Sequence, residues 1–404
     1  MSAFKVLTLL FCSSHAFSAD KVVLQLKWEH EFQFAGYYAA LWQGYYEREG
    51  LAVEIRSWAR PDGQVVSPLE ELISGRAQFA IGGTDIMVNK GRGYDLVVVA
   101  PIFQRSPVAL VSLDSTPLQN IEQTAQLRLA AVEVDDSMLE ARAMFLMNGV
   151  DANRVNFVHQ PLTMETLLDD KADALVTYSV SAQSRASELG LALNLMHPTE
   201  YGVQFYGDTL YTSGELARRQ PELVARFRRA TLDGWRYALD NKVEIANRIS
   251  ATLPRYLYRY EDFKAYNLAF AHSIDQYTFY PAVELGHVNI KRWQRTYDIL
   301  ERLEEIEQPF DPASMLFKKP IISQEPWHDM SWLLGVVAMA AILLGAALVR
   351  GKPAYGLQIA VLALLLLVEQ GLETWIQRDN DVQQSLRTLE TLSTIRSRLE
   401  QAIS

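Results

Sequence analysis

The amino-acid sequence predicts an α/β fold of two lobes, followed by two membrane-spanning helices and an amphipathic helix. Three observations lead there. Short apolar, strand-like runs alternate with helical spacings over residues 21–307. The alternation comes in two units, with the chain crossing between them near residues 106–117 and back near 199–208. Residues 332–349 are an unbroken apolar run, long enough as a helix to span ~30 Å of hydrocarbon.

In the first unit, residues 22–26 read as a strand and 37–49 as a helix ending at Gly50, a plausible C-cap. Strand 52–55, helix 68–74 closed by Gly75, and strand 79–81 follow. Gly82-Gly83-Thr84-Asp85 opens the next helix, and 96–100 and 108–112 are strands. The second unit offers strand 129–132, a helix capped by Asp135-Asp136-Ser137 and running to 147, strand 156–159, helix 163–169 and strand 174–178. Residues 210–212 look like a return strand, and helical segments follow at 214–219, 221–241, 242–252, 260–275 and 289–305. Two such units describe a hinged binding protein, because ligands of open α/β sheets sit beyond the carboxyl ends of the strands and hinge closure brings those ends together.

Composition narrows the function. The 404-residue chain carries a net charge of −10 and no Lys/Arg-rich run, which argues against nucleic acid as a partner. Its one cysteine, Cys12, excludes a disulfide framework and a Cys-based zinc site. His159, His197 and His272 lack ligand-like spacing, so no metal site is expected, and no cofactor either.

The ends point to export and a membrane. Lys5, an apolar stretch at 6–11 and a small-residue region at 13–19 read as a signal peptide over residues 1–19. Four prolines, Pro309, Pro312, Pro320 and Pro326, mark 308–330 as a stiff linker. The spans are expected at 331–350 and 354–375. Arg350 and Lys352 between them place that loop in the cytoplasm, while Glu325, Asp329, Glu369, Glu373 and Asp379 flank the outer side. The expected location is a bacterial inner membrane with the binding domain in the periplasm. Apolar residues at three- to four-residue spacing then make 376–404 an amphipathic helix, able to pair in a homodimer or to pack on an adjacent domain.

Several motifs resemble a known family. Residues 27–40, with Trp28, Glu29, His30, Phe32, Gln33, Phe34, Tyr37 and Tyr38, together with Gly44-Tyr45-Tyr46 and Glu49-Gly50-Leu51, are similar to the opening of the thiamine-pyrimidine synthase and sulfonate-binding superfamily. Residues 82–85, 201–213 and 283–293 continue the likeness, which covers about 21–307 and is nearest to the bacterial membrane-bound sensor branch. The resemblance implies a type II periplasmic-binding-protein-like fold, with one lobe at about 20–110 and 208–307 and the other at about 111–207. The family's enzyme has a cofactor lysine and a histidine where this chain has Thr84 and Val88, and a cysteine cluster in the loop matching 202–207, where this chain has none. A Schiff base needs an amine, so the resemblance implies a binding protein rather than a synthase. Its ligand is expected to be a thiamine-pyrimidine-like heterocycle, and its role that of a sensor input module or, alternatively, a tethered receptor of an importer.

The candidate ligand-binding residues follow from position. Trp28, Phe34 and Tyr37 come after the first strand, where aromatic rings either stack a planar heterocycle or pack the first helix. Glu29, His30 and Gln33 offer polar contacts or lie in a solvated loop. Gly83, Thr84 and Asp85 present backbone N–H groups at a helix start, for an acceptor or as a plain cap. Tyr178 ends a strand that reaches the cleft. Tyr206 and Asp208 sit at the second crossing, where Asp208 pairs with a ring amine or cation or caps the hinge. Capping is the expected role of Asp136.

Overall fold

The computed structural model describes residues 19–132, 136–256 and 262–318. These belong to one compact unit, Met1–Pro320. The signal peptide, both apolar runs, the amphipathic helix and Asp135 lie outside the described residues. Among the described residues no helix is long and apolar enough to cross a membrane.

In chain order the strands are β1 (Asp20–Gln25), β2 (Leu51–Arg56), β3 (Phe79–Gly82), β4 (Leu96–Pro101), β5 (Val108–Leu113), β6 (Leu129–Ala130), β7 (Phe157–Val158), β8 (Ala174–Tyr178), β9 (Leu193–Met196) and β10 (Thr209–Ser213). They form two five-stranded sheets, ordered β2-β1-β3-β10-β4 and β7-β6-β8-β5-β9. In the first lobe β1 runs parallel to β2 and β3, and β10 enters antiparallel between β3 and β4. The second lobe repeats this plan: β6 is parallel to β7 and β8, while β5 is antiparallel to β8 and β9. The antiparallel strand of each sheet is therefore the first one laid down after a crossing.

The helices are α1 (Ala35–Trp42), α2 (Tyr45–Arg48), α3 (Pro68–Ile73), α4 (Asp85–Gly91), α5 (Ile121–Thr124), α6 (Asp136–Met147), α7 (Met164–Leu168), α8 (Ser179–Glu188), α9 (Gly214–Arg219), α10 (Pro221–Asp240), α11 (Lys242–Thr252), α12 (Phe263–Ser273), α13 (Asp275–Thr278) and α14 (Ile290–Arg302). The helix expected over 37–49 is two helices, because Gly44 adopts a left-handed φ of 71° that ends α1 and restarts the chain as α2. Strand β9, Leu-Asn-Leu-Met, and helix α8 are additions to the elements expected from the sequence; α8 buries only Ser179, Val180, Ala182 and Ala186. Strands 96–100 and 108–112 proved to be in different sheets, so the first crossing lies between Pro101 and Val108, earlier than the sequence suggested.

The two crossing segments hydrogen-bond to each other. Ile102 and Phe103 N–H groups donate to Asp208 O at 2.9 and 3.1 Å, and Gly207 N–H donates to Phe103 O at 3.0 Å. This pairing fixes Asp208 between the lobes.

Helix α1 packs on α10 with almost no spacing. A Cβ at Gly36 would lie 2.1 Å from Trp235 Cγ, and one at Gly234 would lie 2.3 Å from Gly36 O. Only glycine permits this approach, and it buries Trp235 completely.

Helix α14 begins as expected, with Asn289 Oδ1 accepting from Arg292 N–H at 3.1 Å. The chain beyond it does not leave as a free linker. Gln308 N–H donates to Gly91 O and Phe317 N–H to Val98 O, both at 2.9 Å, so residues 308–317 lie against the first lobe. The Trp293 indole N–H donates to Pro312 O at 3.1 Å and holds the turn Pro312–Met315 in place.

Candidate functional site

The strand ends position the site. Lys27 lies just past β1, Gly83 just past β3, and Asp208 just before the antiparallel β10, so all three stand at the same edge of the first sheet. Asp136 opens α6 and Tyr178 closes β8 at the facing edge of the second sheet. This is the edge at which open α/β sheets bind ligands.

A polar network joins the lobes there. Lys27 Nζ donates to Asp136 Oδ2 at 2.7 Å and to the Tyr178 hydroxyl at 2.8 Å, and lies 3.3 Å from Asp208 Oδ1. The Tyr178 hydroxyl donates to Asp208 Oδ1 at 3.0 Å, and Gln33 Nε2 to Asp208 Oδ2 at 2.7 Å. Asp136 and Asp208 are nearly inaccessible, with side-chain exposures of 6% and 2%. Gly83 belongs to the same contact, because a Cβ there would meet Asp136 Oδ2 at 2.0 Å. Its own N–H donates to Asp85 Oδ1 at 2.7 Å.

Among the described residues the site is rich in acid for its single lysine. Burial, and next the charge of Asp136, push the Asp85 carboxyl up to about 6. Glu140, one turn after Asp136 on α6, is pushed up to about 8 by burial against the pull of Ser106, Lys27 and Arg292. Burial also raises Asp208, while Lys27 and Gln33 pull it down. A buried carboxyl holds its proton more readily than one in water, because burial disfavours the charged form.

The sequence-predicted residues divide into three groups. Gln33, Gly83, Asp85, Tyr178 and Asp208 come together in the inter-lobe network. Trp28 lies beside it, partly buried and stacked on Trp58 with ring centroids 4.9 Å apart; Thr84 is buried in the same turn and makes no side-chain cap bond. The others serve other surroundings. Phe34 is fully buried in the core of the first lobe, and Tyr37 packs edge-on against Trp235 at 5.7 Å. Glu29 Oε2 accepts from Ser57 Oγ at 3.4 Å and Tyr256 N–H at 3.3 Å. His30 Nδ1 bonds the Tyr38 hydroxyl, and burial brings the imidazole down to about 4. Tyr206 receives the Arg292 guanidinium over its ring at 3.9 Å and accepts from Asn289 N–H at 2.8 Å.

Lys27, Asp136 and Glu140 are the residues sequence reasoning missed. Asp136, expected as a helix cap, pairs across the lobes as well, because α6 starts at the cleft edge and its carboxylate meets Lys27. The available signal was placement: Lys27 directly follows an apolar strand, and Asp136 and Glu140 share a helix face at a spacing of four.

Comparisons with known proteins agree with this architecture. Residues 31–245, more than half of the chain, match the family model NMT1/THI5 like. The chain is 24% identical to the riboflavin-binding protein RibY of Chloroflexus aurantiacus over 231 residues, which cover 56% of this chain and 64% of that protein. It therefore spans just under two thirds of that relative's length. It is 25% identical to the formylaminopyrimidine-binding protein of Halalkalibacterium halodurans over 267 residues, covering 61% of this chain and 78% of that protein. Among solved structures, the periplasmic aliphatic sulphonate binding protein SsuA of Escherichia coli superposes with a TM-score of 0.57 at 13% identity, over 74% of this chain and 97% of that one. The fold is thus the two-lobe periplasmic-binding-protein-like fold.

Proposed function

Because the chain belongs to the NMT1/THI5 like family, we propose that it is an extracytoplasmic receptor for a small pyrimidine-type heterocycle, held at a membrane as the input module of a sensor. The observation that carries the ligand assignment is the network around Asp208, which receives Gln33, Tyr178 and Lys27 at 2.7, 3.0 and 3.3 Å between the lobes. An aminopyrimidine protonated at the ring nitrogen presents two adjacent N–H donors, a pair suited to a carboxylate. The partly buried Trp28 and Trp58 rings offer a stacking face nearby. The acid excess disfavours an anion such as a sulphonate. The formylaminopyrimidine-binding relative supports the class.

A flavin is the second candidate, favoured by the riboflavin-binding relative. The membrane tether is supported by the apolar runs 332–349 and 354–368, and the binding role by Thr84 and Val88 where the resemblance implies the synthase's lysine and histidine. A thermal-shift panel on the full chain tests the ligand. Formylaminopyrimidine should raise the melting temperature by several degrees, whereas riboflavin and an aliphatic sulphonate should not. Stabilisation by the sulphonate alone overturns the assignment; stabilisation by riboflavin alone moves it to flavins.

A further inference from the structure

We propose that Asp136, Glu140 and Asp208 form a seat for a protonated amino group of the solute, and that Lys27 fills this seat from the opposite lobe and is displaced when the solute enters. The inference rests on the reading of the inter-lobe cleft as the binding site, and it names the chemistry that the site selects.

The geometry shows Lys27 in the position of a bound alkylammonium. Three of its partners, Asp136 Oδ2, Tyr178 OH and Asp208 Oδ1, lie at 2.7, 2.8 and 3.3 Å and come from the other lobe and the crossing segment. A lysine reaches such a place on a flexible four-carbon stem with a compact charge, so it can leave again without moving the backbone.

The surroundings hold more acceptors than Lys27 uses. Asp85, Asp136, Asp208 and Glu140 all act on this ammonium or are acted on by it. The other cation near Glu140 is engaged elsewhere: Arg292 lies over the Tyr206 ring and donates to Gln204 O at 2.5 Å and Phe205 O at 2.7 Å. Glu140 is 1% exposed, and its Oε2 has no hydrogen-bond partner among the described residues. A buried carboxyl oxygen without a partner is costly unless something supplies one, and Glu140, which burial keeps protonated up to about 8, can release that proton as an ammonium enters. An incoming ammonium satisfies it and preserves the charge balance when Lys27 withdraws; a neutral donor can do the first but not the second, and an anion does neither.

Two measurements on the full chain test the seat. The first compares formylaminopyrimidine with the amine left when its formyl group is removed, by calorimetry. We expect the amine to bind at least tenfold more tightly, and this preference to grow in Lys27→Met and to fall below threefold in Glu140→Gln. Equal or weaker binding of the amine overturns the proposal, as does a preference lost in Lys27→Met, which would make Lys27 a direct partner of the solute. The second measurement does not depend on any pyrimidine. Lys27→Ala removes three methylenes and the ammonium, and millimolar propylammonium should recover much of the lost melting temperature, while 1-propanol recovers none. If propylammonium does no better than 1-propanol, the seat is disproved. If Lys27→Ala does not fold, Lys27→Gln takes its place: propylammonium should bind this variant more tightly than wild type, and equal binding disproves the seat. Should neither pyrimidine bind while propylammonium restores the variant, the heterocycle assignment fails and the seat stands.

Discussion

Lys27 Nζ lies 2.7 Å from Asp136 Oδ2, and the two residues stand in different lobes. The side chains are 16% and 6% exposed, so the pair is shielded from most screening. Removing one partner of a buried pair costs more than the pair contributes, because the remaining charge keeps its desolvation cost. Lys27→Met should therefore lower stability by about 2–4 kcal/mol at pH 8. The loss should shrink at pH 5, where the carboxyls left behind take up protons. Urea melts at the two pH values check this, and an equal loss at both refutes it.

Gly83 is needed for the same contact. A methyl there would stand 2.0 Å from Asp136 Oδ2, so the carboxylate must turn away from Lys27. Gly83→Ala should weaken solute binding about tenfold or more, roughly 1.4 kcal/mol, with circular dichroism unchanged. Titration calorimetry on both proteins reads the difference; unaltered affinity would mean that Asp136 has room to move.

Glu140 gives the fold a pH dependence of known sign. Its folded value is raised to about 8 from 4.5, so between those values the folded chain holds a proton that the unfolded chain releases. Stability from this group is full below 4.5 and falls as pH rises through 8. Asp85, raised to about 6, acts in the same sense over a lower window. His30 acts oppositely: its value drops to about 4 from 6.5, so its contribution is lost as pH falls through that interval. Glu140→Gln should melt close to wild type at pH 5.5 and above it at pH 8.5, the gap widening by up to about 1.4 kcal/mol per pH unit. A gap that stays constant across the range contradicts the assignment.

The contact between α1 and α10 supports the first lobe. Gly36→Ala drives a methyl into the buried Trp235 ring, 2.1 Å from Cγ. Overpacking of this kind should cost about 1–3 kcal/mol, read as a lower denaturant midpoint at constant slope.

The fold was largely legible in the sequence, and the site only in part. Apolar runs and Gly50 and Gly75 marked strands and helix ends, because burial and backbone conformation are local demands. Gly44 gives no sign of a break in the sequence, because the helical spacing continues past it. Strand β9 escaped because its four residues, Leu-Asn-Leu-Met, are too short a run to show a strand period of their own. Asp208 was identified as a partner for a cation from its place at a crossing, but the cation proved to be Lys27 of the chain itself. Phe34 and Tyr37 looked like stacking groups because aromatic residues near a cleft and aromatic residues in a core have the same composition; only the packing on Trp235 separates them. Pairings across the lobes, such as Lys27 with Asp136, span 109 positions and leave no periodic trace.

The most direct measurement is calorimetric titration of formylaminopyrimidine into the wild-type chain and into Asp208→Asn. We expect wild type to bind with a Kd near or below the micromolar range, about −8 kcal/mol, and the variant at least tenfold more weakly. Absence of heat with the pyrimidine, together with tight binding of an aliphatic sulphonate, would contradict the assignment of this cleft to a pyrimidine-type heterocycle.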